Sequence, residues 1–188
     1  SNIDTGSVEK AGLLAGEIFN SALLDNVNIT NSSMTFNTSS IYDIVGGVAG
    51  LVSNATIKNL SMSDTDIVYQ SSDSSSTIQL YAGLIFGYLS TNTGGVDITL
   101  ENITSENNSL EHTQATSSKN FPGLLAGYAV AGASWGNLSV TNFSSSGDTL
   151  YMVSWPTSKT WTFGTTSQNF IINESGTSIT SLTLSLPE

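Results

Sequence analysis

Gly12-Leu13-Leu14-Ala15-Gly16 returns as Gly46-Gly47-Val48-Ala49-Gly50, Gly83-Leu84-Ile85-Phe86-Gly87 and Gly123-Leu124-Leu125-Ala126-Gly127. The copies begin at residues 12, 46, 83 and 123, spacings of 34, 37 and 40 residues. Self-similarity at such a period marks a stacked-repeat architecture. In an extended strand alternate residues face opposite sides. Leu14, Val48, Ile85 and Leu125 then share one side. Leu13, Leu84 and Leu124, with Ala15, Ala49, Phe86 and Ala126, share the other. Both sides are apolar, so the unit asks for cover on two faces. The bracketing glycines mark corners or close backbone approach.

A second segment follows each unit: Asn26-Val27-Asn28-Ile29-Thr30, Asn59-Leu60-Ser61-Met62-Ser63, Asn102-Ile103-Thr104 and Asn137-Leu138-Ser139-Val140-Thr141. A third apolar patch comes next, at Met34 and Phe36, Ile67 to Tyr69, Leu110, and Leu150 to Met152. Polar and apolar residues alternate, and Asn, Ser or Gly stand at the junctions. Three short strands per repeat are expected, with no sustained helical period. The fold class is all-β: a β-solenoid of about four repeats with a C-terminal capping segment, the alternative being a β-sandwich. Residues 1–10 read as a lead-in arm or strand and 11–147 as the repeats. Residues 148–188 read as an aromatic-rich cap or donor strand, since a solenoid end exposes unpaired backbone.

At 188 residues one domain buries roughly 70% of its unfolded surface, and it does so without disulfides, because cysteine is absent. The chain has no Arg and carries a net charge of −11. Phosphate neutralisation needs clustered cations, so nucleic acid is excluded as a partner class. Only 10% of residues are charged, a balance that points to an extracellular or cell-surface protein. No apolar run is long enough to span a bilayer as a helix. The chain opens at Ser1 without a basic-then-apolar leader, and is expected to be a mature or excised piece.

The stretch from Val45 to Ser61, with Gly46-Gly47-Val48-Ala49-Gly50 followed by a turn and Ile57-Lys58-Asn59-Leu60-Ser61, resembles the GLUG repeat. The resemblance covers about residues 11 to 145. It implies a repeat module of cell-surface and adhesin-like proteins.

Ten Asn-x-Ser/Thr sequons, at Asn28, Asn31, Asn37, Asn54, Asn59, Asn102, Asn107, Asn137, Asn142 and Asn173, are roughly twice what composition alone would give. They are glycosylation candidates, although Asn and Ser or Thr also line solenoid turns for their backbone bonds. Asn59, Asn102 and Asn137 read as equivalent, outward positions. Trp135, Trp155 and Trp161, with Tyr151, offer flat surfaces to sugar rings or else plug the end of the core.

No enzyme is expected. His112 is the only histidine and reads as an exposed corner. Carboxylate pairs such as Asp64 and Asp66, or Glu101 and Glu106, and the lone Asp97, lie in polar stretches and read as solvated surface. No cofactor is expected either. Calcium at Ser63-Asp64-Thr65-Asp66 would find carboxylate and carbonyl oxygens, but a solvated turn is the simpler reading.

The expected role is an extracellular structural or adhesive protein, a glycosylated cell-surface or filament-forming subunit. The alternative is a carbohydrate-binding module. Leu13, Leu84, Phe86 and Leu124, on the second face of the glycine units, and Ile179, Leu182, Leu184 and Leu186, in the final alternating strand, are the self-association candidates. They lead to a homopolymer, by strand donation or end-to-end stacking, as the expected partner, the alternative being that residues 1–10 or the strand from Ile179 to Leu186 cover that face from within the chain, with surface glycans as possible ligands.

Overall fold

A computed structural model describes residues 2–4, 9–38, 42–71, 79–91, 96–112, 119–130, 136–154, 157–162, 171–173 and 179–185. These residues form strands and turns, with no helix among them. A lead strand, β1 (Asn2–Asp4), precedes β2 (Lys10–Ala11), β3 (Ala15–Ile18), β4 (Ala22–Thr30) and β5 (Ser33–Thr38). The chain continues through β6 (Tyr42–Gly46), β7 (Ala49–Val52), β8 (Ala55–Ser63) and β9 (Asp66–Ser71). Next come β10 (Gln79–Gly83), β11 (Phe86–Ser90), β12 (Ile98–Glu106) and β13 (Ser109–His112), then β14 (Lys119–Gly123), β15 (Ala126–Val130), β16 (Leu138–Ser146) and β17 (Thr149–Ser154). The last strands are β18 (Thr157–Thr162), β19 (Ile171–Asn173) and β20 (Ile179–Ser185).

Every fourth strand joins the same sheet. Sheet 1 is β2-β6-β10-β14, sheet 2 is β3-β7-β11-β15-β19, sheet 3 is β4-β8-β12-β16-β20, and sheet 4 is β1-β5-β9-β13-β17-β18. All described pairings are parallel except β17 with β18. The protein is thus all-β with parallel strands stacked in sheets, an arrangement consistent with a β-solenoid. Strands fall into four sheets where the sequence suggested three short strands per repeat. The extra one arises at the glycine unit.

That unit is a corner and not a single strand. Gly46 ends β6, Gly47 and Val48 make the bend, and Ala49 opens β7. Backbone bonds run along the stack through the bend, with Leu14 N–H donating to Val48 O at 3.0 Å and Val48 N–H to Ile85 O at 2.8 Å. A Cβ on Gly46 would collide with the Ala49 carbonyl, and one on Gly50 would lie 2.8 Å from Gly16 O and 2.9 Å from Ile44 O. Sheets 1 and 2 fold back on each other closely enough to require glycine there. The bend itself points into the core, where a Cβ on Gly47 would meet Met62 Sδ and Ile67 Cδ1.

This geometry answers the demand for two-sided cover from within the chain. Leu84 and Phe86 are fully buried and Leu124 nearly so, all in the main core. The expectation that they form a face awaiting a second molecule is therefore corrected. Leu13 is half-buried and packs on the same core. Ile179, Leu182 and Leu184 lie on β20, aligned beside Leu138, Val140 and Phe143 of β16. They extend sheet 3. Leu186 lies outside the described residues.

The strands of sheet 3 explain the core. In β8 the burial alternates until Lys58 and Asn59, which both face out, after which Leu60 and Met62 turn in. Asn59 has φ 51°, and Asn26, Asn102 and Asn142 at the aligned positions have φ 56°. One left-handed residue per strand bends sheet 3 and resets its alternation. Inward columns result: Leu24, Ile57, Leu100 and Val140, then Val27, Leu60, Ile103 and Phe143. In sheet 4 the columns are Met34, Ile67, Leu110 and Leu150, and Phe36, Tyr69 and His112. Pro122 sits in β14, the terminal strand of sheet 1, where a missing N–H costs least.

Leu125→Asp is expected to abolish cooperative folding. It would place an unpaired carboxylate in a fully buried column, and that costs several kcal/mol against a typical margin of ~5 to 15 kcal/mol. Leu14→Asp should lower the melting midpoint by only a few degrees, because Leu14 stands at the end of the same column and is 49% exposed. Thermal melts of the two variants side by side check both.

Candidate functional site

Three side-chain constellations arise from the stacking. The first is an outward ladder on sheet 3. Asn142 Nδ2 donates to Asn102 Oδ1 at 2.9 Å, Asn102 Nδ2 to Asn59 Oδ1 at 2.9 Å, and Asn59 Nδ2 to Asp25 Oδ1 at 2.8 Å. Asn59, Asn102 and Asn142 each sit in the left-handed region, which Asn tolerates better than other side chains. The equivalence of Asn59, Asn102 and Asn137 is thereby corrected: Asn142 completes this column. Asn137 belongs to a neighbouring one, where its N–H donates to Asp97 Oδ1 at 2.7 Å. Beside the ladder Lys58 Nζ pairs with Glu101 at 2.9 Å. The hydrogen bond and charge of Glu101 raise the Lys58 pKa, but an exposed pair of this kind contributes little.

The second constellation is buried at the corner between sheets 3 and 4. Asn31, Asp64, Asn107 and Gly147 occupy successive rungs there, all with positive φ. Thr65, Asn108 and Asp148, which follow the last three, turn inward, whereas Ser32 is only half-buried. Asn108 Nδ2 donates to Met62 O, Ser105 Oγ and Asp148 Oδ1 at 2.9, 2.9 and 3.1 Å, and its Oδ1 accepts the Thr65 N–H at 3.0 Å. Asp148 also accepts from the Asn108 N–H at 2.8 Å and from Ser145 Oγ at 2.5 Å. Burial raises the Asp148 pKa, while these donors pull it down. The set satisfies its own polar groups, as a buried network must.

The third is a tyrosine cluster where sheets 1 and 2 fold together. Tyr81 and Tyr128 rings lie 4.7 Å apart, Tyr81 and Tyr88 5.3 Å, and Tyr88 and Tyr128 5.2 Å. Tyr42 meets the edge of Tyr81 at 5.4 Å and is 39% exposed. Burial first, then the Tyr42 hydroxyl, push the Tyr81 pKa well above the ordinary phenol value. These spacings favour ring attraction. The sequence reading passed over this cluster, although Gly87-Tyr88 and Gly127-Tyr128 repeat the same pair after two corner units.

His112 is the largest departure from expectation. The exposed corner is corrected to a core position: the residue is fully buried, its ring 4.8 Å from Tyr69, and neither nitrogen has a hydrogen-bond partner. The column assigns it the place that Phe36 and Tyr69 hold in neighbouring rungs. Desolvation lowers its pKa from 6.5 to about 4. In the same column Tyr69 donates its hydroxyl to buried Asp43 at 2.6 Å.

The remaining candidates scatter. Asn28 is exposed and accepts from Ser61 Oγ at 2.9 Å; Asn31 and Asn107 are exposed at left-handed corners; Asn54 exchanges bonds with Ser21 at 3.2 and 3.4 Å. Asn37 is half-buried, and Asn173 lies on β19. At the proposed calcium turn, Asp64 is an exposed left-handed residue, Thr65 is buried, and Asp66 accepts from Ser109 Oγ at 2.6 Å. Among the described residues no group of three acidic, His or Cys side chains is placed to hold a metal ion. Trp135 and Trp155 lie outside the described residues. Trp161 is on β18, aligned with Leu150, and Tyr151 is half-buried on β17.

Two outcomes test the ladder and the buried histidine. Asn102→Ala should lose about 2 to 3 kcal/mol of stability, from left-handed strain and two broken bonds, and Asn102→Gly about half that, because glycine adopts the same φ. Chemical denaturation checks the order. For His112 the unfolded state binds a proton near pH 6.5 and the folded state only near 4. Stability is then intact above pH 6.5 and falls as pH drops toward 4, by at most about 1.4 kcal/mol per unit. His112→Met should remove that part of the slope. Raised Asp148 works in the opposite sense, favouring the fold at low pH and losing that contribution as pH climbs above 3.8.

Comparison with protein-family models, curated proteins and solved structures finds no match for this chain.

Proposed function

We propose that this chain is a structural or adhesive module of a cell surface, a β-solenoid of four GLUG-like repeats closed by residues 148–188. The observation that carries the reading is the unbroken outward ladder from Asp25 to Asn142, which ties successive rungs of sheet 3 along the stack axis. Such ties stiffen a stacked array whose parts otherwise contact only their neighbours. A rigid acidic rod with few charges suits display outside the cell and, through its ends, assembly into longer fibres. Antibodies raised against the folded protein should label intact cells of the source organism, and labelling only after permeabilisation would refute the placement. Beads coated with the protein should be retained under flow on cell or matrix surfaces where albumin-coated beads wash off.

Glycosylation is part of the proposal, with its sites narrowed. Asn54, Asn59, Asn102, Asn137 and Asn142 donate through their amide nitrogens to neighbouring rungs, and a glycan on that atom would replace one of its two hydrogens and crowd the adjacent rung. Asn31 and Asn107 are exposed and outside the ladder. Glycopeptide mass spectrometry on native material should find modification at Asn31 or Asn107 ahead of Asn59 and Asn102; the reverse order would show that the ladder does not exclude glycans.

A second reading, a carbohydrate-binding module, is favoured by the Tyr42 and Tyr88 rings at the mouth of the tyrosine cluster, since sugar rings stack on such faces. Glycan-array binding lost in Tyr42→Ala would support it.

A further inference from the structure

The four tyrosines between sheets 1 and 2 belong to the middle of the stack. Tyr42 lies on β6 and Tyr81 on β10, flanked within sheet 1 by β2 and β14; Tyr88 lies on β11 and Tyr128 on β15, flanked within sheet 2 by β7 and β19. Strands of the same chain thus stand on both sides of the cluster. Packing alone does not ask for phenols here. The aligned residues are Ile44 and Phe121 for Tyr81, and Leu51 for Tyr88, so the register accepts plain apolar residues in these columns.

One pair is closest. Tyr81 and Tyr128 are 4% and 9% exposed, and their rings lie 4.7 Å apart at an interplanar angle of 37°. Two directly bonded phenol rings lie only slightly closer and carry a similar twist, whereas unlinked aromatic pairs range out to about 7 Å. Glycine permits the approach of the two strands: a Cβ on Gly83, which ends β10, would lie 2.7 Å from the Gly127 nitrogen in β15. Each buried ring also has a more exposed neighbour. Tyr42 is 39% exposed and its hydroxyl hydrogen-bonds with that of Tyr81. Half-buried Tyr88 lies 5.2 Å from Tyr128.

We propose that Tyr81 and Tyr128 are a site of oxidative cross-linking, joined ortho carbon to ortho carbon as dityrosine by hydrogen peroxide and a haem peroxidase. A phenol gives up a hydrogen atom far more readily than the aliphatic side chains around it. The first hydrogen atom is drawn from Tyr42 at the surface, and its phenoxyl radical takes the hydroxyl hydrogen of Tyr81, restoring Tyr42. Burial holds the Tyr81 phenol protonated, so proton and electron leave together. The second hydrogen atom leaves Tyr128 by way of Tyr88. The two buried radicals combine, one C–C bond forms, and each ring's ortho hydrogen moves to its oxygen to restore the phenol. In all, the pair loses two hydrogen atoms, which reduce one hydrogen peroxide to two waters.

The product staples β10 to β15, strands of successive rungs, in a chain that has no cysteine for the purpose. It requires only the register of sheets 1 and 2 and goes beyond the surface role proposed above, so either can fail alone.

The full chain treated with hydrogen peroxide and a haem peroxidase tests the site. The monomer fraction should gain dityrosine fluorescence and become lighter by two hydrogen atoms, and fragmentation of the linked peptides should place the bond at Tyr81 and Tyr128. Tyr81→Phe and Tyr128→Phe should each abolish that product, while Tyr42→Phe should slow its formation. Tyr151→Phe, on β17, should leave it unchanged. Phenylalanine keeps the ring packing, and circular dichroism identifies folded variants. The linked monomer should melt about 5 to 10 °C higher, because the bond closes a long loop in the unfolded chain. Native protein digested without added oxidant should carry the same linked peptide.

A folded monomer that yields no dityrosine, a bond placed at another pair, or a product undiminished in Tyr81→Phe overturns the proposal. So do cross-linked dimers in place of the linked monomer, since rings already held together couple within one chain first. Native protein in which Tyr81 and Tyr128 remain unlinked overturns it as well.

Discussion

Parallel in-register hydrogen bonding is the constraint on which every other feature depends. From β4 to β16 it places each residue of sheet 3 beside its counterpart 33, 43 or 40 residues along the chain. Whatever occupies a position must then be compatible with a near copy of itself about 4.8 Å away. Apolar columns meet that condition by packing and amide columns by donating to one another. Charges meet it poorly, which is why Lys58 stands next to Glu101 and not next to another lysine. The low charge content and the abundance of Asn, Ser and Thr are thus consequences of the stacking, whatever else they serve.

The corners decide how the sheets close on one core. Left-handed Asn residues bend sheet 3, left-handed Asn, Asp or Gly residues turn its chain into sheet 4, and the glycine units fold sheets 1 and 2 against each other. The second kind of corner gives the molecule its unusual economy of burial. Leu84, Ile85 and Phe86 are all enclosed although they are consecutive, because the bend enters the core and its outer side is closed by the facing strand. The tyrosine cluster fills the mouth of the same fold, where glycine can no longer keep the sheets in contact.

Polar groups inside the stack follow the same column logic. Met62 gives way to Ser105 and Ser145 in the adjoining rungs, and there Asn108 and Asp148 turn in to meet them. His112 is the exception, a polar ring substituted into an aromatic column with no compensating partner. Its cost is met by keeping the imidazole neutral, so protonation of this residue works against the fold in acid, while Asp148 works in the opposite sense.

The glycine units and the alternating segments by themselves determined an all-β chain of stacked repeats, since period and pattern are local properties that survive without coordinates. They also required two-sided cover for Leu84, Phe86 and Leu124. What supplied that cover is a tertiary matter: a strand reading cannot distinguish a neighbouring molecule from a chain folded back through glycine. The Asn ladder was half visible, because Asn59 and Asn102 recur while the rung at Asn142, not Asn137, depends on register set by backbone pairing. His112 was misread for the same reason. A lone polar residue between Glu111 and Thr113 looks solvated, and only its alignment with Phe36 and Tyr69 places it in the core.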